Sequence, residues 1–216
     1  MQLILEKNNF INKFKKIFSM FMNDKLALIS IIFLIFMVFL AFFGPSLLSE
    51  SYTKMNLRLR NLEPFSFDHH FMYFFGADAL GRSMIARLIL ATQNTMFIAG
   101  SAVILSMTLG GVLGLISGYY GGRTGNLIMR MADIIMSFPS LLLAVIVLYM
   151  FDPGLLNLVI VLAFTRMPIY MRTARAEVLE IRERLFVSAA ISMGASNLRI
   201  IFKHIAPLTI PTLITI

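Results

Sequence analysis

Residues 26–43 read LALISIIFLIFMVFLAFF, with no charge and no proline. A helix rises 1.5 Å per residue, so about 20 apolar residues cross a hydrocarbon core about 30 Å thick. The run is therefore expected to be a first transmembrane helix, with Gly44 and Pro45 stopping it. The alternative is a signal peptide. The 25 residues before the run, its length and the lack of a small-x-small cleavage site after it favour a retained anchor.

The rest of the chain shares this character. Of 216 residues 58% are hydrophobic and 14% are charged, and the mean hydropathy is +0.83. An ordinary soluble domain carries about 25% charged residues, so a membrane protein is the first reading. Cysteine is absent, which removes disulfides, thiolate catalysis and Cys-ligated metal centres.

A second span is expected from Met96 to about Tyr119. It contains the small-xxx-small spacings Gly110–Gly114 and Gly114–Gly118, which let helix backbones approach closely in lipid. The spacing calls for a partner helix without identifying one. A third span is expected over Ile134–Phe151, interrupted by Pro139, where Ser137 and Ser140 can satisfy freed backbone groups. A fourth runs from Leu155 to Tyr170. Arg166 in that stretch must snorkel or face protein. After Pro207 the residues LTIPTLITI reach Ile216, too few to cross a bilayer, so the sequence reads as stopping inside a fifth span.

The +8 net charge follows the topology. Fourteen of the nineteen basic residues lie in the tail before span one, in the segment 120–133, or between Arg166 and Pro207. The segment 44–95 balances Lys54, Arg58, Arg60, Arg82 and Arg87 against Glu50, Glu63, Asp68 and Asp78. The positive-inside bias puts the N-terminus in the cytoplasm. It also removes the support that +8 would lend to nucleic-acid binding. The expected order is a cytoplasmic tail (1–25), span one (26–43), an extracytoplasmic segment (44–94) and a membrane domain (95–216). That domain has a short inside turn at 120–133 and a tight outside turn at Asp152–Gly154.

Catalytic signatures are missing. The sequence has no GxxxxGK[ST] loop, HExxH, GxSxG or EF-hand loop. His69 and His70 are adjacent and read as a loop pair. His204 reads as a surface or interface residue. Asp133 and Asp152 sit at span ends, and ionisable residues within spans are scarce, which weakens a stand-alone carrier. No catalytic, cofactor-binding or metal-binding residue is expected.

The cytoplasmic segment 171–207 reads MRTARAEVLEIRERLFVSAAISMGASNLRIIFKHIAP. Glu180–Arg184 has the favourable i,i+4 order. Gly194 fits a helix C′ stop and Ser196 the N-cap of a following helix, Asn197–Ile205, ended by Pro207. Small residues Ala189, Ala190, Gly194 and Ala195 surround the turn. Phe186, Met193, Leu198, Ile201 and Phe202 offer apolar anchors. From periodicity, packing on the chain's own spans and docking of a partner weigh about equally.

The run FVSAAISMGASNLRIIFKHIAP resembles the EAA loop of ABC-importer permeases, E-A-A-x-x-x-G with an I-x-x-P-like ending. Ala189 and Ala190 match the alanines, Gly194 the glycine and Pro207 the proline. Ser188 stands where the family has glutamate. FFGADALGRSMIARLILAT (74–92), SGYYGGRTGNLIMRMADIIMSFPSLLLAVIV (117–147) and RTARAEVLEIRERLFVSAA (172–190) resemble the C-type permease of dipeptide, oligopeptide and nickel importers. Together these stretches cover most of residues 24–213.

The resemblance implies an all-α polytopic bundle of the ABC type I importer transmembrane fold, with four spans and the start of a fifth where the family usually has six. It implies a non-catalytic permease in a bacterial inner membrane, moving peptides, with nickel or another small solute as the alternative. Its partners would be a second permease, two cytoplasmic ATPases and an extracytoplasmic binding protein. Residues 171–207 would be the coupling loop, with Ala189, Ala190, Gly194, Ala195 and Pro207 as its site residues. A secondary carrier and a structural membrane anchor or assembly factor are the competing classes.

Overall fold

The long apolar runs become long helices. The computed structural model describes residues 24–48, 54–66, 70–151 and 154–216. The expected tail lies almost wholly outside these residues, as do His69 and Asp152. The chain forms two compact units, Met1–Met96 and Phe97–Ile216, with the boundary inside one helix.

In the first unit, α1 spans Lys25–Leu48. Asp24 caps its start by accepting the Leu26 N–H at 3.0 Å and the Ala27 N–H at 3.2 Å. Contrary to the sequence expectation, Gly44 and Pro45 do not stop the helix. Pro45 sits in its last turn, where a single backbone bond is lost, and Ser46 Oγ donates to Phe43 O at 2.8 Å. Gly44 serves packing instead, because a Cβ there would strike the side chain of Ile89.

The described residues 54–66 and 70–83 are irregular, with short 3₁₀ turns at Leu57–Leu59 and Phe71–Tyr73. Phe65 meets Phe74 edge to face, with ring centroids 5.1 Å apart. His70 Nδ1 accepts the Met72 N–H at 3.4 Å and so caps the second turn. Asp78 ties the segment together. Its Oδ1 accepts the N–H of Leu80 and of Arg82, both at 2.9 Å. Its Oδ2 accepts Arg82 Nε and Arg87 Nη1, both at 2.8 Å. Ser83 then starts the next helix: its Oγ accepts the Ala86 N–H at 3.3 Å and donates to Met72 O.

Helix α2 spans Met84–Tyr120, starting well before the expected Met96. The chain reverses at Gly121 and Gly122, with φ of +59° and +50°. Helix α3 (Gly122–Ser137) follows at once. The expected turn at 120–133 is thus mostly helix, because the two glycines complete the reversal alone. The expected third span is not one rod: α3 and α4 (Ser140–Met150) meet at Pro139 with an 83° bend. Ser137 Oγ donates to Ile134 O at 2.7 Å at that break. The eleven residues of α4 reach about 16 Å, half a bilayer.

Helix α5 spans Leu155–Ile181, passing through buried Pro168 and continuing eleven residues beyond Tyr170. Helix α6 (Leu185–Ser192) and a turn lead to α7 (Asn197–Arg199). A π-helical segment, Ile200–Ile205, joins α7 to α8 (Ala206–Ile214). The expected break at Pro207 is absent. Ala206 donates to Ile201 O across five residues, and this wide turn absorbs a ring that would otherwise strike the carbonyl four residues back.

Helices α1, α2 and α5 are each long and apolar enough to cross a membrane, and the bent pair α3–α4 makes a fourth if it counts as one span. Among the described residues there is no strand beyond one isolated bridge, Ala77 to Ser83. The chain is a multi-pass, all-α membrane protein.

Candidate functional site

The glycine stripe of α2 finds its partner in α5. A Cβ on Gly110 would lie 2.5 Å from Met167 O and 2.8 Å from Tyr170 Cβ. On Gly114 it would lie 2.5 Å from Met171 O and 2.6 Å from Ala174 Cβ. On Gly118 it would lie 2.7 Å from Val178 Cβ. The two backbones touch along two full turns, as small-xxx-small spacing permits.

Arg182, the C-cap of α5, and arginines within α5 then fix the end of α2. Arg182 Nη1 donates to Gly118 O at 3.3 Å and Tyr119 O at 3.4 Å, two of the carbonyls that a helix C-terminus leaves unpaired. Arg175 Nη1 donates to Gly125 O at 3.2 Å, and Ser117 Oγ donates to the same carbonyl at 3.1 Å. Arg172 Nη2 pairs with Asp133 Oδ1 at 2.6 Å and joins α5 to α3. The glycine at 125 is required here, since a Cβ would approach Ser117 O to 2.6 Å.

The α6–α7 hairpin rests on this platform. Val187, Ala190, Ile200, Ile201, Ile205 and Ala206 form one buried cluster with Leu115 of α2 and with Val178 and Ile181 of α5. Burying each large aliphatic side chain contributes about 1.5–3 kcal/mol relative to leaving it in water. Tyr119 Oη donates to Asn197 Oδ1 at 2.9 Å and pins the start of α7 to the end of α2.

The turn closes as a Schellman motif. Gly194 has φ +79°, and its N–H donates to Ile191 O at 2.9 Å. The Ala195 N–H donates to Ala190 O at 3.1 Å, so two orphan carbonyls of α6 are satisfied. Ala195 packs against the buried cluster that contains Ala190.

The expected site residues therefore split into two groups. Ala190 is 3% exposed and turned inward, so it belongs to the hairpin's core. Ala189 and Gly194 are exposed, and Ala195 is half-buried. Pro207 is exposed but lies in the first turn of α8, thirteen residues beyond Gly194. Ser188 is exposed, and its carbonyl accepts Ser192 Oγ at 3.0 Å. Of the expected anchors, Phe186, Met193, Leu198 and Phe202 are exposed, whereas Ile201 is buried. Leu185, which sequence reasoning missed, is 88% exposed at the start of α6, and Met193 is 81% exposed at its end. The arrangement is an apolar knob on a buried aliphatic mount, with packing on its own spans on one side and an open face on the other.

Residues 110–216 match the family model described as a binding-protein-dependent transport system inner membrane component. Residues 13–64 match the N-terminal transmembrane domain of oligopeptide transport permease C. A dipeptide transport system permease protein of Alkalihalophilus pseudofirmus is 34% identical over 197 residues, covering 91% of this chain and 63% of its own length. An oligopeptide transport system permease protein of Bacillus subtilis is 32% identical, covering 90% of this chain and 66% of its own length. A probable D,D-dipeptide transport system permease protein of Escherichia coli is 31% identical, covering 92% and 65%. The chain thus spans just under two thirds of the length of these curated relatives. With one family model on its first span, the other on the α2–α8 bundle, and these relatives matched along nine tenths of it, the chain belongs to the C-type inner-membrane permeases of ABC importers and has their type I transmembrane fold.

Proposed function

We propose that this chain is the C-type permease subunit of an ABC importer that carries di- and oligopeptides across a bacterial cytoplasmic membrane. The observation that carries the reading is the α6–α7 knob, which holds Leu185, Met193 and Leu198 exposed on a mount of buried aliphatics and a closed glycine turn. Exposed apolar side chains grouped on such a mount fit insertion into a partner's groove. Residues 171–207 are then the coupling segment, with Ala189, Gly194 and Ala195 at the contact, Ala190 beneath it and Pro207 at the entry to the next helix.

The chain has no phosphate-binding loop in its sequence, so the energy comes from partner ATPases. A second permease completes the translocation path, and an extracytoplasmic binding protein delivers the peptide. The basic-residue distribution supports a cytoplasmic N-terminus and an outward-facing segment 44–94. Peptide is favoured over nickel because the relatives above are named for dipeptide and oligopeptide transport.

Met193→Asp and Leu185→Asp test the reading in the assembled transporter. Each places a charge on the knob without touching its core, and co-purification of the ATPase subunits and peptide uptake should both fall at least about tenfold. ATPase association and uptake that stay at the unsubstituted level in both variants would overturn the proposal.

A further inference from the structure

Arg166 is set apart from the other arginines of α5 and its C-cap. Arg172 pairs with Asp133, Arg175 with Gly125 O, and Arg182 with the carbonyls of Gly118 and Tyr119. Among the described residues Arg166 has neither an acid nor a carbonyl partner, and it is exposed. It lies eleven residues beyond Leu155, about 17 Å along the helix and within the depth of a hydrocarbon core about 30 Å thick. A guanidinium at that depth does not face lipid cheaply; it lines a wet path or meets an anion.

Two cavities meet at this residue. One, of about 290 Å³, lies at the α3–α4 break and is lined by Phe138, Ser140, Thr165 and Arg166. The other, of about 310 Å³, lies between α2 and α5 and is lined by Ser106, Tyr170 and Arg166. Both are close to the volume that small ligands occupy. Their lining supplies both halves of a recognition set. Thr165 Oγ1 donates to Leu162 O at 3.0 Å and Ser106 Oγ to Val103 O at 3.0 Å. Those hydroxyl protons are committed to the helix; Ser106 is buried, and the oxygen of half-buried Thr165 is left as an acceptor. Arg166 is donor only, with a planar fork that matches a carboxylate.

We infer that Arg166 is a specificity-determining residue of the translocation path that receives the free C-terminal carboxylate of the passing peptide, with Thr165 as an acceptor for one of its N–H groups. The inference rests on the transport reading above and deepens it. A carboxylate on another part of the assembled transporter would offer the same chemistry, and the experiment separates the two sources.

The test uses the full importer with its ATPases and binding protein in proteoliposomes. Uptake of alanyl-alanine and of alanyl-alaninamide is measured for the unsubstituted protein, Arg166→Gln and Arg166→Lys. Arg166→Gln should lower uptake of the free acid about tenfold, the scale of a lost charge-assisted hydrogen bond, and leave the amide unchanged. Arg166→Lys keeps the charge without the fork and should leave acid uptake between that of the glutamine variant and the unsubstituted level, with the amide unchanged.

Equal losses on acid and amide would overturn the inference and assign Arg166 to a carboxylate of the transporter itself. Unchanged acid uptake in Arg166→Gln would remove it from the path. A lysine variant that loses uptake of the amide as well as of the acid would also overturn it. Absence of uptake of either peptide by the unsubstituted importer would instead sink the peptide-transport reading, and this assignment with it.

Discussion

Gly114 of α2 faces the backbone carbonyl of Met171 in α5 so closely that a Cβ would lie 2.5 Å from the oxygen. Carbonyl oxygen belongs to the helix frame and cannot swing aside, so the two helices must part to admit even a methyl group. Gly114→Ala is expected to destabilise the bundle by about 1–3 kcal/mol, the usual cost of overpacking. Gly100 of the same helix has nothing within 4 Å of its Cβ position. Gly100→Ala should stabilise by about 0.5–1 kcal/mol through helix propensity. Thermal unfolding of both variants in detergent checks the contrast; equal effects would mean that α2 and α5 do not meet at this stripe.

Arg182 is expected to hold the C-terminus of α2 rather than to serve as a free surface charge. Its guanidinium reaches the last carbonyls of α2, where the helix dipole is negative. Arg182→Gln should cost about 1 kcal/mol, reduced from the value for a buried bond because the side chain is partly exposed. Hydrogen exchange should quicken at residues 117–125. Arg184, whose partner Glu180 sits one turn back on the surface, provides the comparison. Arg184→Gln should leave those amides within error of the unsubstituted protein.

The helix-turn-helix around Gly194 was legible because its signals are local: a glycine stop and helix formers on both sides, with Ser196 at the N-cap position though its side chain makes no capping bond. The glycine stripe of α2 was legible as a need for a partner, but the partner itself lies some sixty residues away in sequence. Proline misled in two places. Pro45 and Pro207 read as stops, yet both lie within helices. A proline removes one backbone bond, and a last turn, a packed bundle or a π-turn absorbs that loss. The arginines 172, 175 and 182 read as loop charges that set topology. Their carbonyl and carboxylate partners sit on other helices, which no periodicity reveals.

Asp78 makes the segment before α2 sensitive to acid. Hydrogen bonding from the Arg82 backbone, aided by its guanidinium and by the Leu80 N–H, outweighs desolvation and holds the Asp78 pKa down to about 2. A depressed carboxylate pKa contributes stability that is fully present above the unfolded value near 4 and is lost as pH falls toward 2. Limited proteolysis by pepsin between pH 4 and pH 2 should therefore open residues 54–83 progressively. Asp78→Asn should make cleavage there as fast at pH 4 as at pH 2. A cleavage profile in Asp78→Asn that still steepens across this window would assign the acid response to another group.

Gly194 separates backbone conformation from contact at the coupling turn. Its φ of +79° is strained for an L side chain, yet nothing lies within 4 Å of its Cβ position. A side chain there meets strain but no clash within this chain. Gly194→Asn tolerates the left-handed region and should cost little, whereas Gly194→Val should cost about 1–2 kcal/mol and loosen the Ala190–Ala195 closure. If the turn docks in a partner's groove, both variants add bulk at the contact, so ATPase co-purification falls for both while thermal stability falls for valine alone. Asparagine matching glycine in ATPase co-purification would leave Gly194 as a conformational residue only, and the docking contact would shift to Leu185 and Met193.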